Sequence, residues 1–340
     1  MKALFLGSVA ADTANGIRAE LPRGLRIEVV ADPHALLRAP EVTADADILV
    51  TNHWRSEYPP APQVRLVQSV ATGIELIDLV ALPHGVVICN AFGHETAIAE
   101  YVLMAMLVWS HRFREIESEF RARSSWRSSW VQSGVPHGEI FGSTVGIIGL
   151  GRVGREVARR AAAFGYRVVA ANRSERRPES GIERVYPLTE LDQMLPACDF
   201  VVLCTALAPE TEGLIDRHRL ALMKRSAFLI NIARGSVVDE DAIYAALRDG
   251  GIGGAALDVW WQYPACDRTG APAIASSLPR AAEHPDDPTL LGLDRGDGGA
   301  ALERGGRQHQ PLCPRRATEE CGLHDLRTAL AQMTFAAPAV

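Results

Sequence analysis

Length, composition and charge place this chain among ordinary globular proteins. Its 340 residues are 47% hydrophobic and 22% charged, which is enough apolar material for two domains with separate cores. The net charge of −6 and the isoelectric point near 6.0 leave no basic footprint for nucleic acid. The most apolar run, 101–109, is too short to span a bilayer. Neither nucleic acid nor a membrane is therefore predicted as a partner.

The cysteines carry no disulfide or metal signature. Zinc sites and secreted disulfide frameworks need paired or densely spaced cysteines. Here they are scattered, without a CxxC pair, at Cys89, Cys198, Cys204, Cys266, Cys313 and Cys321. We expect buried free thiols and no metal. The apolar start, 1–11, is short and broken by glycine, so it suits a strand better than a signal peptide. The sequence predicts a cytoplasmic protein.

Short apolar runs alternate with polar or helical connections over the first part of the chain. The runs predicted as strands are 3–6, 27–30, 48–51, 66–70 and 86–88. This alternation is typical of a parallel α/β unit. We assign residues 1–95 to a flavodoxin-like domain.

A buried helix is predicted over 96–113, where apolar side chains recur at helical spacing around Glu100. We expect this helix to link two domains. The next stretch, 121–138, is rich in serine, arginine and tryptophan. Such a stretch can stack on RNA bases, but a surface excursion or a subunit contact is the favoured interpretation.

The stretch 145–154 predicts a strand, a tight glycine turn and the start of a helix. In a dinucleotide fingerprint, glycines permit the turn, let the backbone approach a pyrophosphate and let the helix pack on the strand. The helix N-terminus then faces the phosphates. The candidate cofactor-binding residues here are Gly149, Gly151, Arg152, Val153 and Gly154.

The context of the glycines supports this interpretation. Val153, Val157, Ala161 and Phe164 share one face of the following helix, and Gly165 stands where a C-terminal cap belongs. Further strands are predicted at 167–171, 199–203, 227–232 and 254–259, and a helix capped by Asp239 at 240–248. We assign 96–265 to an NAD(P)-binding Rossmann domain.

A doubly wound sheet binds its ligand at the carboxyl ends of its strands. The loops that follow the predicted strands therefore hold the remaining candidates for cofactor and substrate binding. Those candidates are Asn172, Arg173, Thr205, Ala233, Arg234 and Asp258.

Several segments resemble the D-isomer-specific 2-hydroxyacid dehydrogenase family. They are 145–155, 198–215, 222–224, 231–240 and 254–259, with a weaker likeness at 71–78, and the resemblance stops near Pro264. The fold it implies is α/β, with two Rossmann-like or flavodoxin-like parallel-sheet domains, a cleft between them and an irregular C-terminal tail. The activity it implies is hydride transfer between NAD(P)H and a small 2-keto or 2-hydroxy acid, as in glyoxylate or hydroxypyruvate reductases. It also implies a homodimer.

The resemblance further implies residue roles. Arg234 would bind the substrate's carboxylate and carbonyl, which suits a bidentate guanidinium; the alternative is a surface arginine in a turn. Asp258 would hold the nicotinamide side of the cofactor, the alternative being a cap. Thr72 and Gly73 would offer backbone donors to the substrate.

The chain departs from the family at the acid–base residues. Counting from Asp258 places Tyr263 where the family has a glutamate that orients a catalytic histidine. A tyrosine can orient a histidine but brings no charge to stabilise an imidazolium. The family's Thr-Pro-His segment is absent, and the neighbours of His284 do not match it. The alternative function is therefore a catalytically inactive NAD(P)-binding protein.

The end of the second Rossmann strand indicates the cofactor. NAD-binding proteins carry an acidic residue there, about 20 residues past the glycines, that bonds the adenosine ribose. This chain has Asn172, followed by Arg173, Arg176 and Arg177. No carboxylate repels a 2′-phosphate, so NADP(H) is the predicted cofactor and NAD(H) the alternative.

The tail, 266–340, is predicted to be aberrant and disordered, translated in a shifted reading frame. The last 76 residues contain a single aromatic residue, Phe335. Composition alone also allows an ordinary disordered extension. Codons for 285–294 can be chosen that, read one base later, spell Leu-Met-Thr-Pro-His-Cys-Ser-Gly-Trp-Thr. The same shift lets 303–322 encode an amphipathic helix followed by the family's usual ending.

We expect resequencing of the gene to reveal one inserted or deleted base between codons 266 and 277. Translated as written, the chain should show little or no turnover because it lacks the acid–base histidine. A confirmed frame whose codons do not spell Thr-Pro-His one base later would contradict this prediction.

Overall fold

The computed structural model describes residues 1–124, 137–174 and 177–261, together with a strand at 290–291. The chain divides into two units, one running from Met1 to His94 and the other beginning at Glu95. The strands are β1 (Lys2–Leu6), β2 (Arg26–Val30), β3 (Ile48–Val50), β4 (Leu66–Gln68), β5 (Val87–Cys89), β6 (Thr144–Ile148), β7 (Arg167–Asn172), β8 (Arg184–Pro187), β9 (Phe200–Leu203), β10 (Phe228–Asn231), β11 (Gly254–Leu257) and β12 (Leu290–Leu291). The α-helices are α1 (Ser8–Ile17), α2 (Glu41–Ala44), α3 (Glu95–Ser110), α4 (Phe113–Arg123), α5 (Arg152–Ala163), α6 (Leu191–Met194), α7 (Arg217–Leu222) and α8 (Glu240–Arg248).

The first unit is built on a five-stranded parallel sheet with the order β2-β1-β3-β4-β5. This is the flavodoxin-like order, so the predicted fold class is confirmed for this unit. The central strands β1, β3 and β4 are buried along their whole length. Such strands are covered on both faces, which is why apolar residues dominate them, with Lys2 and Gln68 only at strand ends.

The second unit carries a seven-stranded parallel sheet with the order β8-β7-β6-β9-β10-β11-β12. Counted from β6, its first six strands follow the Rossmann order 3-2-1-4-5-6, as the fingerprint predicts, and β12 adds a seventh beside β11. Strand β8 was not among the predicted strands. It lies at the sheet edge, begins with an exposed arginine and ends in proline, so it lacks the apolar run of a central strand.

The helix predicted over 96–113 is confirmed as α3, which ends at Ser110, three residues before the predicted end. The chain leaves α3 after Ser110, Arg112 adopts a left-handed backbone with φ 51°, and α4 begins at Phe113. Helix α3 is apolar and packs into the core of the second unit. Helix α4 is rich in charged residues and has no buried residue, so it does not extend the buried helix α3.

Phe164 is a second correction. It was expected on the apolar face of α5, but it forms the C-cap of that helix and is 48% exposed. Gly165 follows with φ +83° and closes the helix as predicted. Most of the serine- and tryptophan-rich stretch lies outside the described residues.

Two further expectations concern the membrane and the tail. No helix in the part of the chain that the structure describes is long and apolar enough to cross a membrane. Strand β12 lies within the predicted tail. It pairs in parallel with β11, so that Ala255 lies opposite Leu290. The rest of the tail lies outside the described residues.

Candidate functional site

The turn after β6 requires glycine at two positions for steric reasons. Gly149 has φ +101°, and a Cβ there would lie 2.8 Å from the carbonyl oxygen of Cys204. A Cβ on Gly154 would lie 2.0 Å from the carbonyl oxygen of Gly149. These two glycines let the turn, helix α5 and the loop after β9 approach one another closely.

Gly151 leaves space in front of α5. It is the N-cap residue, makes no side-chain cap hydrogen bond, and a Cβ there would meet nothing within 4 Å. The first N–H groups of a helix have no partner within the helix, and this end carries partial positive charge. Arg152 is exposed and Val153 half-buried beside it. The helix start thus presents donors to open space, which fits the pyrophosphate of a dinucleotide.

Asn172 ties the glycine turn to the end of β7. Its Oδ1 accepts a hydrogen bond from the backbone N–H of Leu150 at 3.3 Å, and its Nδ2 donates to the carbonyl of Ser174 at 2.9 Å. Arg173, the next residue, is exposed. Arg176, which was expected to help bind a phosphate, lies outside the described residues. The carboxyl end of β7 is therefore neutral at Asn172 and positively charged at Arg173.

The loop after β9 borders the same turn. The backbone N–H of Cys204 donates to the carbonyl of Ile148 at 2.8 Å, and Thr205 is half-buried, its hydroxyl 3.4 Å from the carbonyl of Ala206. Burial raises the pKa of the Cys204 thiol to about 12. The thiol stays protonated at neutral pH, so Cys204 is a packing residue beside the turn and offers no nucleophile.

The loop after β10 is shaped by Asn231, which is fully buried. Its Oδ1 accepts from the backbone N–H of Ala233 at 3.0 Å, and its Nδ2 donates to the carbonyl of Arg234 at 2.9 Å. Arg234 is half-buried, and its Nη1 donates to the carbonyl of Ala233 at 2.7 Å. The positioning role of Asn231 was not predicted. The available signal was an amide at the end of an otherwise apolar strand, directly before the loop.

The loops after β10 and β11 pack on each other. A Cβ on Gly235 would lie 2.3 Å from the backbone of Trp260, and Trp261 Nε1 donates to the carbonyl of Val238 at 2.7 Å. The backbone N–H of Asp258 donates to the carbonyl of Asn231 at 3.0 Å. Arg234 and Asp258 are thus held at neighbouring strand ends. Tyr263 lies outside the described residues.

Asp258 sits in a poorly hydrated environment. The carboxyl group is half-buried, and burial raises its pKa to about 6. Tyr101 of α3 is buried nearby, and its own pKa is raised by burial and by the charge of Asp258. A carboxylate of this kind gains most from a cationic ligand, which restores the charge stabilisation that water no longer supplies.

In the first unit, Thr72 and Gly73 lie in the loop after β4. Their carbonyls accept hydrogen bonds from the side chains of Asn90 and Ser69. Neither backbone N–H donates a hydrogen bond to any of the residues that the structure describes. Two amide donors are therefore available for an anion. Ser69 and Asn90 were not predicted; both follow neighbouring parallel strands, which is the signal that could have found them.

Comparison with known proteins identifies the family. Residues 103–277 match the D-isomer specific 2-hydroxyacid dehydrogenase NAD binding domain. The chain is also 35% identical over 251 residues to the glyoxylate reductase of Thermococcus kodakarensis, covering 72% of each protein. The chain belongs to the D-isomer specific 2-hydroxyacid dehydrogenase family. The family match runs past Pro264, where the resemblance was expected to stop.

Other family members show how widely the likeness extends. The D-3-phosphoglycerate dehydrogenase of Mycobacterium leprae is 35% identical over 246 residues, which are 71% of this chain and 43% of that one. The D-isomer specific 2-hydroxyacid dehydrogenase of Lactobacillus delbrueckii ssp. bulgaricus, solved in its NAD complexed form, superposes with a TM-score of 0.75. That alignment covers 99% of this chain and 98% of the other at 21% identity, which shows a shared fold.

The family relationship fixes the coarse function. The chain is an oxidoreductase of the 2-hydroxyacid dehydrogenase type, which transfers a hydride between a nicotinamide cofactor and a small 2-keto or 2-hydroxy acid. The described glycine turn and helix start fit the pyrophosphate of that cofactor. Turnover by this chain and the roles of its individual residues remain predictions.

We predict that the affinity for NAD⁺ depends on the ionisation of Asp258. The carboxyl is neutral at pH 5 and ionised at pH 7 because its pKa is about 6. The oxidised nicotinamide ring is positive and the reduced ring neutral, so NAD⁺ should bind up to about tenfold more tightly at pH 7, with little change for NADH. Fluorescence or calorimetric titrations across this range measure both affinities.

The control for this prediction is Asp258→Asn, which should remove the pH dependence, beside Asp241→Asn on the exposed face of α8, which should keep it. The same ionisation destabilises the fold. Because the pKa of Asp258 in the folded chain lies above its ordinary value, the free energy of unfolding decreases as the pH rises through about 6. An unchanged NAD⁺ profile in Asp258→Asn would contradict the assignment.

Proposed function

We propose that this protein, once its reading frame is restored, reduces a small 2-keto acid to the 2-hydroxy acid with NADPH as hydride donor. The observation that carries the proposal is the row of neighbouring strands β7-β6-β9-β10-β11. Their carboxyl ends bring together the predicted cofactor and catalytic residues, which are Gly149, Gly151, Arg152, Val153, Gly154, Asn172, Arg173, Thr205, Ala233, Arg234 and Asp258. Residues 1–95 would then form the substrate domain and 96–265 the NAD(P)-binding domain.

The preference for NADP(H) over NAD(H) is supported at the end of β7. Asn172 has no charge, and both polar atoms of its side chain already bond to the backbone. Arg173 is exposed directly beside it. A 2′-phosphate would meet no carboxylate at Asn172 and would gain a charge-assisted hydrogen bond from Arg173.

Arg234 is the proposed substrate-binding residue of the second unit. Its backbone is held by Asn231, and its guanidinium lies beside the same loop, where Nη1 donates to the carbonyl of Ala233. A guanidinium has five donors in a planar fork, which matches the carboxylate and carbonyl oxygens of a 2-keto acid. During hydride arrival at the carbonyl carbon, the same group would stabilise the charge that develops on the oxygen.

Thr72 and Gly73 are the proposed substrate-binding residues of the first unit. Asn90 and Ser69 hold their carbonyls, and no described residue accepts a hydrogen bond from their two N–H groups. Adjacent backbone donors of this kind form a concavity for an anion. We propose that they bind the substrate's carboxylate.

The proposed setting is a cytoplasmic homodimer. Free rather than bridged thiols are typical of a reducing compartment, and the described Cys198 and Cys204 are free thiols. The dimer rests on the resemblance to the family. Gel filtration with light scattering tests it directly.

The second candidate function is cofactor binding without catalysis. It is favoured by one observation, the absence of a Thr-Pro-His segment from the chain as translated. Titration with NADPH and a turnover assay with glyoxylate, hydroxypyruvate and pyruvate separate the two. Binding with oxidation of NADPH supports the reductase, and binding without oxidation by any 2-keto acid supports the inactive protein.

We predict that Arg173→Ala lowers the preference for NADPH over NADH by about tenfold to a hundredfold. This range corresponds to roughly 1.5–3 kcal/mol for one charge-assisted hydrogen bond. The affinities of both cofactors measure it. The matched control is Arg167→Ala, an exposed arginine at the opposite end of β7 that pairs with Glu183. An unchanged NADPH to NADH ratio in Arg173→Ala would contradict the assignment.

We also predict that Arg234→Lys does not preserve function, because a point ammonium cannot reproduce the fork of a guanidinium. In a chain whose frame is restored, kcat/KM should fall at least about a hundredfold, the cost of one bidentate contact. Cofactor affinity should remain. Arg225→Lys, an exposed arginine near α8, is the matched control and should be neutral. Near-normal efficiency in Arg234→Lys would show that this arginine does not bind the substrate.

A further inference from the structure

The side chain of Thr72 is held by a histidine that the proposed function has not used. His94 Nε2 lies 2.7 Å from Thr72 Oγ1, and the same hydroxyl lies 3.2 Å from the carbonyl oxygen of Ala91. His94 is half-buried and is the last residue of the first unit. The hydroxyl of Thr72 is therefore fixed between the imidazole and the backbone that follows β5.

The backbone around this contact joins the loops after β4 and β5. Ser69 N–H donates to the carbonyl of Cys89 at 2.7 Å, and Ala91 N–H donates to the carbonyl of Ala71 at 3.1 Å. The side chain of Asn90 adds a bond to the carbonyl of Thr72. These bonds hold the carbonyls of Ala71 and Thr72. Each carbonyl shares a peptide group with the next N–H, so the bonds also orient the N–H groups of Thr72 and Gly73.

A β-branched side chain couples its hydroxyl to its backbone tightly, because few χ1 rotamers are open to it. Fixing Thr72 Oγ1 at His94 therefore restricts the φ and ψ angles of Thr72. Those angles decide whether the N–H groups of Thr72 and Gly73 converge on one anion. The imidazole thus acts on that geometry through the hydroxyl of Thr72.

We propose that His94 is a positioning residue for the carboxylate-binding loop. It acts through the Thr72 hydroxyl and holds the two N–H donors in the arrangement that a substrate carboxylate needs. The inference rests on the proposed function, since that function assigns the loop to the carboxylate. It adds a residue that lies outside every segment of resemblance.

The test measures the affinity of oxalate, a planar mimic of a 2-keto acid, for the full chain saturated with NADPH. His94→Ala should weaken oxalate binding about five- to tenfold, the usual size of one lost hydrogen bond. His94→Gln should restore it to within about twofold, because the Gln amide nitrogen takes a position near that of His Nε2. Thr72→Val should cost as much as His94→Ala.

Two comparisons separate positioning from general damage. If His94 acts only through Thr72, a variant that combines His94→Ala with Thr72→Val should bind oxalate no more weakly than either single variant. NADPH affinity should be unchanged in all of them. The matched control is His84→Ala, an exposed histidine before β5, which should leave oxalate affinity unchanged.

Hydrogen exchange of the Ala71 and Ala91 amides gives a readout that does not depend on substrate. Both should exchange faster in His94→Ala than in the wild type and in His84→Ala. Equal exchange, unchanged oxalate affinity in His94→Ala, or an additive double variant would overturn the inference. If the wild type bound NADPH but not oxalate, the carboxylate assignment would fail, and the exchange rates would still decide the role of His94.

Discussion

The nucleotide-binding edge depends on the close approach of three backbone segments at Gly149. The turn after β6, the first turn of α5 and the loop after β9 meet there at distances that leave no room for a Cβ on Gly149 or Gly154. This contact brings the N-terminus of α5 to the carboxyl end of β6. Without it, the helix start could not present its donors where the neighbouring strands deliver Asn172, Arg234 and Asp258.

Parallel strands extend this constraint across the sheet. Because every strand of the second unit runs the same way, each loop after a strand emerges at one edge. The loops after β10 and β11 are then locked to each other through Asn231, Gly235 and Trp261. A half-buried arginine and a half-buried aspartate are thereby held on neighbouring strands. We propose that the arginine recognises a carboxylate and the aspartate a cationic ring.

The sequence predicted the central strands, the glycine turn and the residues at strand ends because each has a local cause. A strand covered on both faces must be an apolar run, and a turn with a left-handed residue such as Gly149 needs glycine. Strand β8 escaped prediction because an edge strand needs no such run. The end of α3 at Ser110 was not predicted because the sequence of α4, which begins at Phe113, also has a helical pattern, although α4 has no buried residue.

The positioning residues escaped prediction for a different reason. Ser69, Asn90, His94 and Asn231 act by hydrogen bonds to loops that the fold brings beside them, and no periodicity marks such partners. Only the rule that neighbouring parallel strands end together could have drawn attention to them. The candidate ligands were thus predictable from the sequence, whereas the side chains that hold their loops required the structure.

The edge around Gly149 has the glycine turn and the open helix start that a nicotinamide dinucleotide needs. Titration of the full chain with NADPH, followed by energy transfer from tryptophan to the reduced nicotinamide, tests most directly whether this edge binds one. Trp260 and Trp261 follow Asp258 closely enough in the chain to report on a bound ring. We expect saturable binding of NADPH at one site per chain, and we expect NADP⁺ to displace the bound NADPH. A chain that is folded by circular dichroism yet shows no saturable binding of NADPH or NADH would contradict this expectation.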